Sequence, residues 1–182
     1  MTAVRFPYRR ISVVGTSASG KTTMARRLSA SLGLPYFELD ALHWEADWTE
    51  AADELFRERV MKALAGDSWV VDGNYALTRD LVWGRAEAIV WLDPALPVIL
   101  RQYLGRTWRR IRSGEELWAG TGNRERSSHL LRRDGLLWWI LSTYRGRRRR
   151  YAALLAERPE LTVIRLRSMA AADRWLRGLT SG

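Results

Sequence analysis

One stretch constrains the fold of this chain more than any other feature. It runs Gly15-Thr16-Ser17-Ala18-Ser19-Gly20-Lys21-Thr22-Thr23 and matches G-x-x-x-x-G-K-[ST] at every fixed position. Residues 10–14 before it have the β-branched apolar character of a buried strand, and the apolar residues at Met24, Leu28 and Leu32 after it predict a helix. A strand, a glycine-rich loop and a helix in this order are typical of a phosphate-binding loop. The alternative is a Gly/Ser turn that matches the motif by chance.

The residue types of this loop suit a polyphosphate. Glycines let the backbone come close to phosphate oxygens, whose charge is met by peptide N–H groups and by the positive end of the helix dipole. Lys21 would reach the β- and γ-phosphates, and the Thr22 hydroxyl would ligate Mg²⁺. The loop therefore predicts that a polyphosphate binds here.

Apolar runs with strand character alternate with helical patterns along the chain. The strands are predicted over residues 10–14, 36–39, 68–71, 88–92 and 161–164. Helices are predicted after the loop, from an N-cap at Thr49 to about Ala65, and over residues 95–112, 128–157 and 169–179. This alternation predicts an α/β fold, a three-layer sandwich in which helices cover both faces of a five-stranded parallel sheet, in a single domain over residues 1–182.

Three predicted strands lead directly into an aspartate: Asp40, Asp72 and Asp93. Ligands bind at the carboxyl edge of an open parallel sheet, so polar residues are expected there. Apolar residues followed by an aspartate are typical of the strand whose carboxylate holds Mg²⁺ or a water near the phosphates. We favour Asp72 for this role, because the third strand usually lies beside the loop strand. Asp93 is expected to cap the following helix.

The formal charge of +10 is concentrated in one region. Residues 101–150 contain 14 arginines and 4 acidic residues, whereas the rest of the chain is neutral. Arg106 and Arg110 share one face of the predicted helix. The glycines among residues 113–128 favour a mobile flap, and the arginine run 147–150 is either a solvated helix face or a phosphate contact.

Composition also excludes several kinds of site. The chain has no cysteine, which excludes a disulfide framework, a thiolate metal site and a cysteine nucleophile. No run approaches the roughly 20 apolar residues of a membrane-spanning helix, and residues 1–8 lack the apolar core of a secretory signal. We therefore expect a cytoplasmic protein with no membrane partner.

With these features in place, the chain resembles the nucleoside-monophosphate-kinase branch of P-loop proteins, which includes adenylate, shikimate and gluconate kinases. Within that branch it is most similar to the DNA topology modulation (FlaR-like) proteins, which are related to adenylate kinase. Beyond the loop, the resemblance rests on Asp40-Ala41-Leu42-His43-Trp44 with Trp48, on Trp69-Val70-Val71-Asp72-Gly73-Asn74-Tyr75, on the arginines of residues 106–112 and on Gly122-Asn123-Arg124-Glu125. It implies ATP and Mg²⁺, and transfer of the γ-phosphoryl group to a nucleotide, a nucleoside or another small hydroxyl acceptor.

The resemblance also implies roles for particular residues. The catalytic residues would be Lys21, Asp40, Arg106 and Arg110. ATP would be bound by residues 15–23 and Arg109, and Mg²⁺ by Thr22 and Asp72. The substrate would contact Asp40, His43, Trp44, Trp48, Asp72, Gly73, Asn74, Tyr75 and Arg79. Residues 40–65 would form the substrate-binding segment. Residues from about 106 to 133 would form an arginine-rich mobile lid, with Arg124 or Arg126 contributed by its flap.

Several alternatives remain open at this point. Asp40 could act as a base, as a Mg²⁺ partner or as a helix cap. The aromatic residues His43, Trp44 and Trp48 could stack on a base or sugar, or belong to the core. After Asp72-Gly73, adenylate kinase continues with an apolar residue, proline and arginine, which puts AMP in doubt as the acceptor here.

Two other functions compete with a kinase. A DNA- or RNA-associated regulator could use residues 101–150 to follow a phosphate backbone, although no helix-turn-helix signature or zinc-ligand set is visible in the sequence. A nucleotide switch with only slow hydrolysis would need the loop and no acceptor.

Overall fold

The computed structural model describes residues 4–125 and 135–180. Its strands are β1 (Val4–Arg5), β2 (Arg10–Gly15), β3 (Tyr36–Glu38), β4 (Trp69–Asp72), β5 (Ala88–Leu92), β6 (Thr162–Leu166) and β7 (Leu179–Thr180). Five of them form one sheet in the order β3-β4-β2-β5-β6, with every neighbouring pair parallel. Strands β1 and β7 pair separately. The predicted five-stranded parallel sheet is confirmed.

Seven α-helices connect these strands within the described residues. They are α1 (Lys21–Leu32), α2 (Leu39–His43), α3 (Asp53–Ala63), α4 (Arg79–Trp83), α5 (Leu96–Ser113), α6 (Leu136–Ala156) and α7 (Met169–Arg177). A short 3-10 turn, Ala46–Trp48, lies between α2 and α3. Among the helices of residues 4–125 and 135–180, none is both long enough and apolar enough to cross a membrane.

Successive residues of the sheet face opposite helical layers, as the period of a strand requires. Val13 of β2 packs in a cluster with Leu28 of α1 and Leu176 of α7. Its neighbour Val14 packs on the other face, in a cluster that includes Phe56 of α3 and residues of α4 and α6. Each such fully buried apolar side chain contributes about 1.5–3 kcal/mol relative to an exposed one. The three-layer sandwich follows from these two cores.

A third core brings the arginine-bearing helix α5 against the glycine-rich loop. Ala18 of the loop packs with Ile99 and Tyr103 of α5 and with Ile140 and Tyr144 of α6. The buried residues Ile99 and Tyr103 therefore hold α5 beside the loop, and Gln102, between them in sequence, lies close to Gly20 of the loop.

Two predictions of element boundaries are wrong at the start of the chain. Strand β3 ends at Glu38, so Asp40 lies in the first turn of α2 and not at the end of a strand. Helix α3 begins at Asp53 with Ala52 at its N-cap. Thr49 instead closes the short turn, where its N–H donates to the Ala46 carbonyl over 3.1 Å.

The predicted cap at Asp93 is also wrong. The N-cap of α5 is Ala95, and no side chain caps it. The buried Asp93 carboxylate pairs instead with Arg148 of α6 at 2.7 Å and with Arg165 of β6 at 2.6 Å. Of the long helix predicted over residues 128–157, residues 136–156 are helical, and the predicted start lies outside the described residues.

Candidate active site

The loop between β2 and α1 is open to a ligand at the end of the central strand. Helix α1 begins at Lys21, and its N-cap is Gly20 at φ +90°, which carries no capping side chain. The first N–H groups of a helix have no partner within the helix, and the helix dipole is positive there. Gly15 has φ +152°, and an added Cβ would lie 2.4 Å from the Leu92 carbonyl oxygen. A side chain at this position would therefore clash with β5.

Three buried polar atoms around the loop have no hydrogen-bond partner among the described residues. They are Ser19 Oγ in the loop and Gln102 Oε1 and Arg106 Nε on α5. Gln102 lies beside the loop, since a Cβ added at Gly20 would lie 3.9 Å from its Nε2 atom. Buried polar groups are nearly always satisfied, so this cluster indicates a polar ligand. Sequence reasoning missed Gln102, which no motif distinguishes from other helix residues.

The two predicted Mg²⁺ ligands lie in direct contact. Strand β4 pairs with β2 so that Asp72 is opposite Val13, just before the loop. The Thr22 hydroxyl donates to Asp72 Oδ2 over 2.7 Å, and the Tyr36 hydroxyl donates to Oδ1 over 2.8 Å. Burial raises the pKa of Asp72 to about 6, against the opposing effect of the Thr22 hydrogen bond. A cation beside this carboxylate would favour its ionised form.

Asp40 is held by an aromatic residue from another segment. The Tyr75 hydroxyl donates to Asp40 Oδ1 over 2.7 Å. The Tyr75 ring lies 4.5 Å from the ring of His43 and 4.9 Å from that of Phe56. His43 is buried in this aromatic group, where it packs against Tyr75, the residue that holds Asp40.

Charges from several elements act on Lys21. Burial lowers the pKa of the Lys21 ammonium, Asp40 and Asp72 oppose that change, and Arg106 and Arg147 add to it. Burial likewise lowers the pKa of the Arg106 guanidinium. The Lys21 ammonium itself donates to the Thr16 carbonyl over 3.3 Å.

Asn74 and Gly73 shape the site through backbone contacts. The Gly15 N–H donates to Asn74 Oδ1 over 3.3 Å, and Asn74 Nδ2 donates to the Gly15 carbonyl. The predicted substrate residue Asn74 thus has its amide engaged in holding the loop. Gly73 has φ +145°, and an added Cβ would lie 2.6 Å from Leu39 Cβ, so α2 packs directly on its backbone.

The predicted tryptophans contact the segment 114–125 that follows α5. The ring of Trp44 stacks on that of Trp118 at 6.3 Å, and Trp48 lies edge-on to both rings at 5.8 Å. Asn123 is buried. Its Oδ1 accepts the Trp48 N–H over 2.9 Å, and its Nδ2 donates to the Glu45 carbonyl over 2.8 Å. The described part of the predicted lid is therefore docked on the predicted substrate-binding segment.

The other predicted arginines are placed differently from one another. Arg110 pairs with Glu125 at 3.4 Å, so its charge is partly neutralised. Arg109 is exposed. Arg124 donates to the Gly114 carbonyl over 2.7 Å, and Arg126 lies outside the described residues. Among the lid arginines that the structure describes, Arg106 is therefore the one whose Nε is buried without a hydrogen-bond partner.

No family model and no curated protein matches this chain. Solved structures do match its fold. A sugar kinase from Janibacter sp. HTCC2649 is 21% identical with a TM-score of 0.50, and the match covers 94% of each chain. A shikimate kinase from Bacteroides thetaiotaomicron is 17% identical with a TM-score of 0.52, covering 93% of this chain and 95% of that one. A gluconokinase from Sinorhizobium meliloti 1021 is 21% identical with a TM-score of 0.50 and covers 96% of each. These matches show the same P-loop kinase fold.

Proposed function

We propose that this protein is an ATP- and Mg²⁺-dependent kinase, which transfers the γ-phosphoryl group to a hydroxyl of a small acceptor such as a nucleotide or nucleoside. One observation carries the proposal: the loop that leads into Lys21 is joined to β4 by the Thr22–Asp72 hydrogen bond and is flanked on α5 by buried polar atoms of Gln102 and Arg106 that have no partner among the described residues. The buried, unpartnered Arg106 Nε at this place suits a bound phosphate. The solved sugar, shikimate and gluconate kinases of the same fold support the reaction class.

Thr22 and Asp72 would hold the metal ion. Their oxygens are the hard ligands that Mg²⁺ prefers, and it usually takes one or two protein ligands together with phosphate and water oxygens. When bound, Mg²⁺ neutralises charge on the β- and γ-phosphates. Tyr36 would keep the Asp72 carboxylate oriented, because its hydroxyl bonds the oxygen that Thr22 does not use.

Asp40 would accept the proton of the acceptor hydroxyl. The Tyr75 hydroxyl occupies Oδ1, which leaves Oδ2 to receive the proton as the acceptor oxygen bonds to the γ-phosphorus. The bond from that phosphorus to the bridging oxygen of ADP breaks in the same transfer. Lys21 and Arg106 would stabilise the negative charge that spreads over the transferring group.

The chain contains only two lysines, which provides a matched test of the loop. Lys21→Ala should lower Mg²⁺-dependent ADP formation at least about 100-fold, as expected for loss of one preorganised cation. Lys62→Ala, on the exposed side of α3, should have no effect. The measurements are MgATP binding by calorimetry and ADP release with a panel of acceptors. Turnover that survives Lys21→Ala would show that the proposed site is wrong.

Asp40→Asn tests the proton acceptor separately from nucleotide binding. An amide of the same shape cannot take the proton, so kcat should fall about 10²–10⁴-fold while MgATP affinity stays the same. If the variant transferred the phosphoryl group as fast as the original chain, Asp40 would not be the base.

A further inference from the structure

Trp118 links the segment 114–125 to a carboxylate on the edge strand of the sheet. Its indole Nε1 donates to Glu38 Oε1 over 3.2 Å, across 80 residues of chain. Its ring stacks on that of Trp44 at 6.3 Å, with only 14° between the two planes. Trp118 therefore reaches two elements of the site at once, the end of β3 and the residue that follows α2.

Glu38, the partner of Trp118, lies beside the carboxylate that would hold the metal ion. In the pairing of β3 with β4, Glu38 is directly opposite Asp72. Tyr36 lies on the same strand as Glu38, and its hydroxyl is 2.8 Å from Asp72 Oδ1 and 3.3 Å from Glu38 Oε2. One phenol thus lies within hydrogen-bond distance of two carboxylates.

The Tyr36 hydroxyl can serve only one of these carboxylates, because it has a single proton to donate. The shorter distance indicates that Asp72 receives it in this structure. Thr22 donates to the other Asp72 oxygen, so the Tyr36 proton is what holds Oδ1. Glu38 therefore competes for the bond that orients Asp72, unless other donors supply its own oxygens.

Glu38 has one further donor for each of its oxygens. Arg26 reaches Oε2 at 3.2 Å, but the Arg26 side chain is 63% exposed, and an exposed ion pair contributes little. The Trp118 N–H supplies Oε1. Because the Glu38 side chain is only 15% exposed, water is a poor replacement for that donor. Without the Trp118 N–H, Glu38 would take the Tyr36 proton, and Asp72 would lose its orienting bond.

We propose that Trp118 is a positioning residue for the metal site: by supplying Glu38, it leaves the Tyr36 hydroxyl to Asp72 and keeps that carboxylate oriented for Mg²⁺. The inference rests on the proposed kinase function, in which Thr22 and Asp72 hold the metal ion. Groups that hydrogen-bond to a metal-binding side chain commonly change metal affinity about 10–100-fold. Docking of the segment 114–125 thereby strengthens metal-nucleotide binding through a residue that does not ligate the metal.

The test measures what Mg²⁺ adds to nucleotide binding. ADP affinity is determined by calorimetry with Mg²⁺ and again with EDTA, and the ratio of the two affinities is the contribution of the metal. Trp118→Phe keeps an aromatic ring for Trp44 but lacks the N–H for Glu38. It should lower this ratio at least about threefold, part of the effect of an outer hydrogen bond, and leave ADP affinity in EDTA within about twofold. Trp118→Leu also lacks the N–H and should lower the ratio by at least as much.

A second substitution tests the route through Tyr36. Tyr36→Phe removes the shared hydroxyl and should by itself lower the ratio about tenfold. In that background Trp118→Phe should have no further effect, because no hydroxyl is left for Glu38 to take. Trp108→Phe makes the same change at a tryptophan that is 67% exposed on α5, so it is the matched control and should leave the ratio unchanged. Thermal melting checks that each variant is folded.

Three results would overturn the inference: a ratio that Trp118→Phe leaves unchanged, equal losses of ADP affinity with Mg²⁺ and with EDTA, or a loss that persists in the Tyr36→Phe background. The unsubstituted protein is measured first. If it does not bind ADP, or if Mg²⁺ does not tighten that binding, the proposed kinase function fails and the inference fails with it. If Mg²⁺ tightens ADP binding and Trp118→Phe does not change the ratio, only the inference fails.

Discussion

Asn123 ties the segment after α5 to the turn that follows α2, and the structure permits an estimate of what its side chain contributes. The side chain is 2% exposed and bonds two backbone groups, the Trp48 N–H at 2.9 Å and the Glu45 carbonyl at 2.8 Å. Asn123→Ala removes both partners at once. Each of these two part-buried hydrogen bonds contributes about 0.5–1.5 kcal/mol, so the docked arrangement should lose about 2 kcal/mol relative to an undocked one.

The 3-10 turn Ala46–Trp48 depends on these hydrogen bonds with Asn123, because its backbone is strained. Asp47 and Trp48 have φ of +57° and +58°, the left-handed region that residues other than glycine rarely adopt. Each such residue costs about 1 kcal/mol and persists where surrounding contacts require it. Asn123 binds the N–H of one of these two residues, so its loss should release the strain as well as the contact.

Native-state hydrogen exchange measures this opening directly. A loss of about 2 kcal/mol corresponds to about 30-fold faster exchange, since each 1.4 kcal/mol is a factor of ten. The increase should appear in peptides covering residues 44–50 and 114–125 and not in the core strands. Arg112→Gln, an exposed position near the end of α5, should change exchange by no more than about twofold. If Asn123→Ala left both peptides unchanged, the docking would not depend on these two hydrogen bonds, and the reasoning would be refuted.

Three further substitutions follow from contacts of the described residues. Tyr75→Phe removes the hydroxyl that orients Asp40, so kcat/KM of the proposed kinase should fall about tenfold with the melting temperature nearly unchanged. Asp93→Asn weakens a buried carboxylate held by two half-exposed arginines and should lower the free energy of unfolding by about 2–3 kcal/mol, measured in urea. Burial raises the pKa of Glu87, but two backbone N–H bonds and Arg10 outweigh it, so the folded-state pKa lies below the ordinary value of 4.5. The stability contributed by this carboxylate is present above pH 4.5 and is lost as the pH falls through the folded-state pKa. The difference in stability between the original chain and Glu87→Gln should therefore shrink over that range.

The sheet was predictable because its central strands are buried on both faces. Such strands are short, wholly apolar runs, and residues 88–92 were placed without error for this reason. The edge strand β3 has only three residues, all half-buried, and the chain turns at once into α2. No local pattern separates a strand that ends at Glu38 from one that continues to Asp40.

Predictability of the site depended on how far apart the contacting residues lie in the chain. The contact between Thr22 and Asp72 was predictable, because the order of strands in a sheet of this kind sets it. The contact between Asn123 and Trp48 spans 75 residues and depends on how a loop packs, for which the sequence carries no rule. In the run 147–150 the residues are identical, so only the rotation of α6 shows that Arg148 is the one paired with Asp93.

The arginines of the basic region, residues 101–150, fall into two groups once their contacts are known. Arg110 and Arg148 are held by carboxylates of the protein itself, whereas Arg106 lies one turn beyond Gln102 on the side of α5 next to the phosphate loop, and its buried Nε has no partner among the described residues. A surface that follows the phosphate backbone of a nucleic acid would use exposed arginines. For the exposed arginines of residues 101–150, nucleic-acid binding stays a prediction. The Arg106 Nε, buried beside the phosphate loop, would contribute nothing to such a surface, because a duplex backbone cannot reach it. At this position the basic region thus has an explanation in small-anion chemistry that does not depend on the net charge.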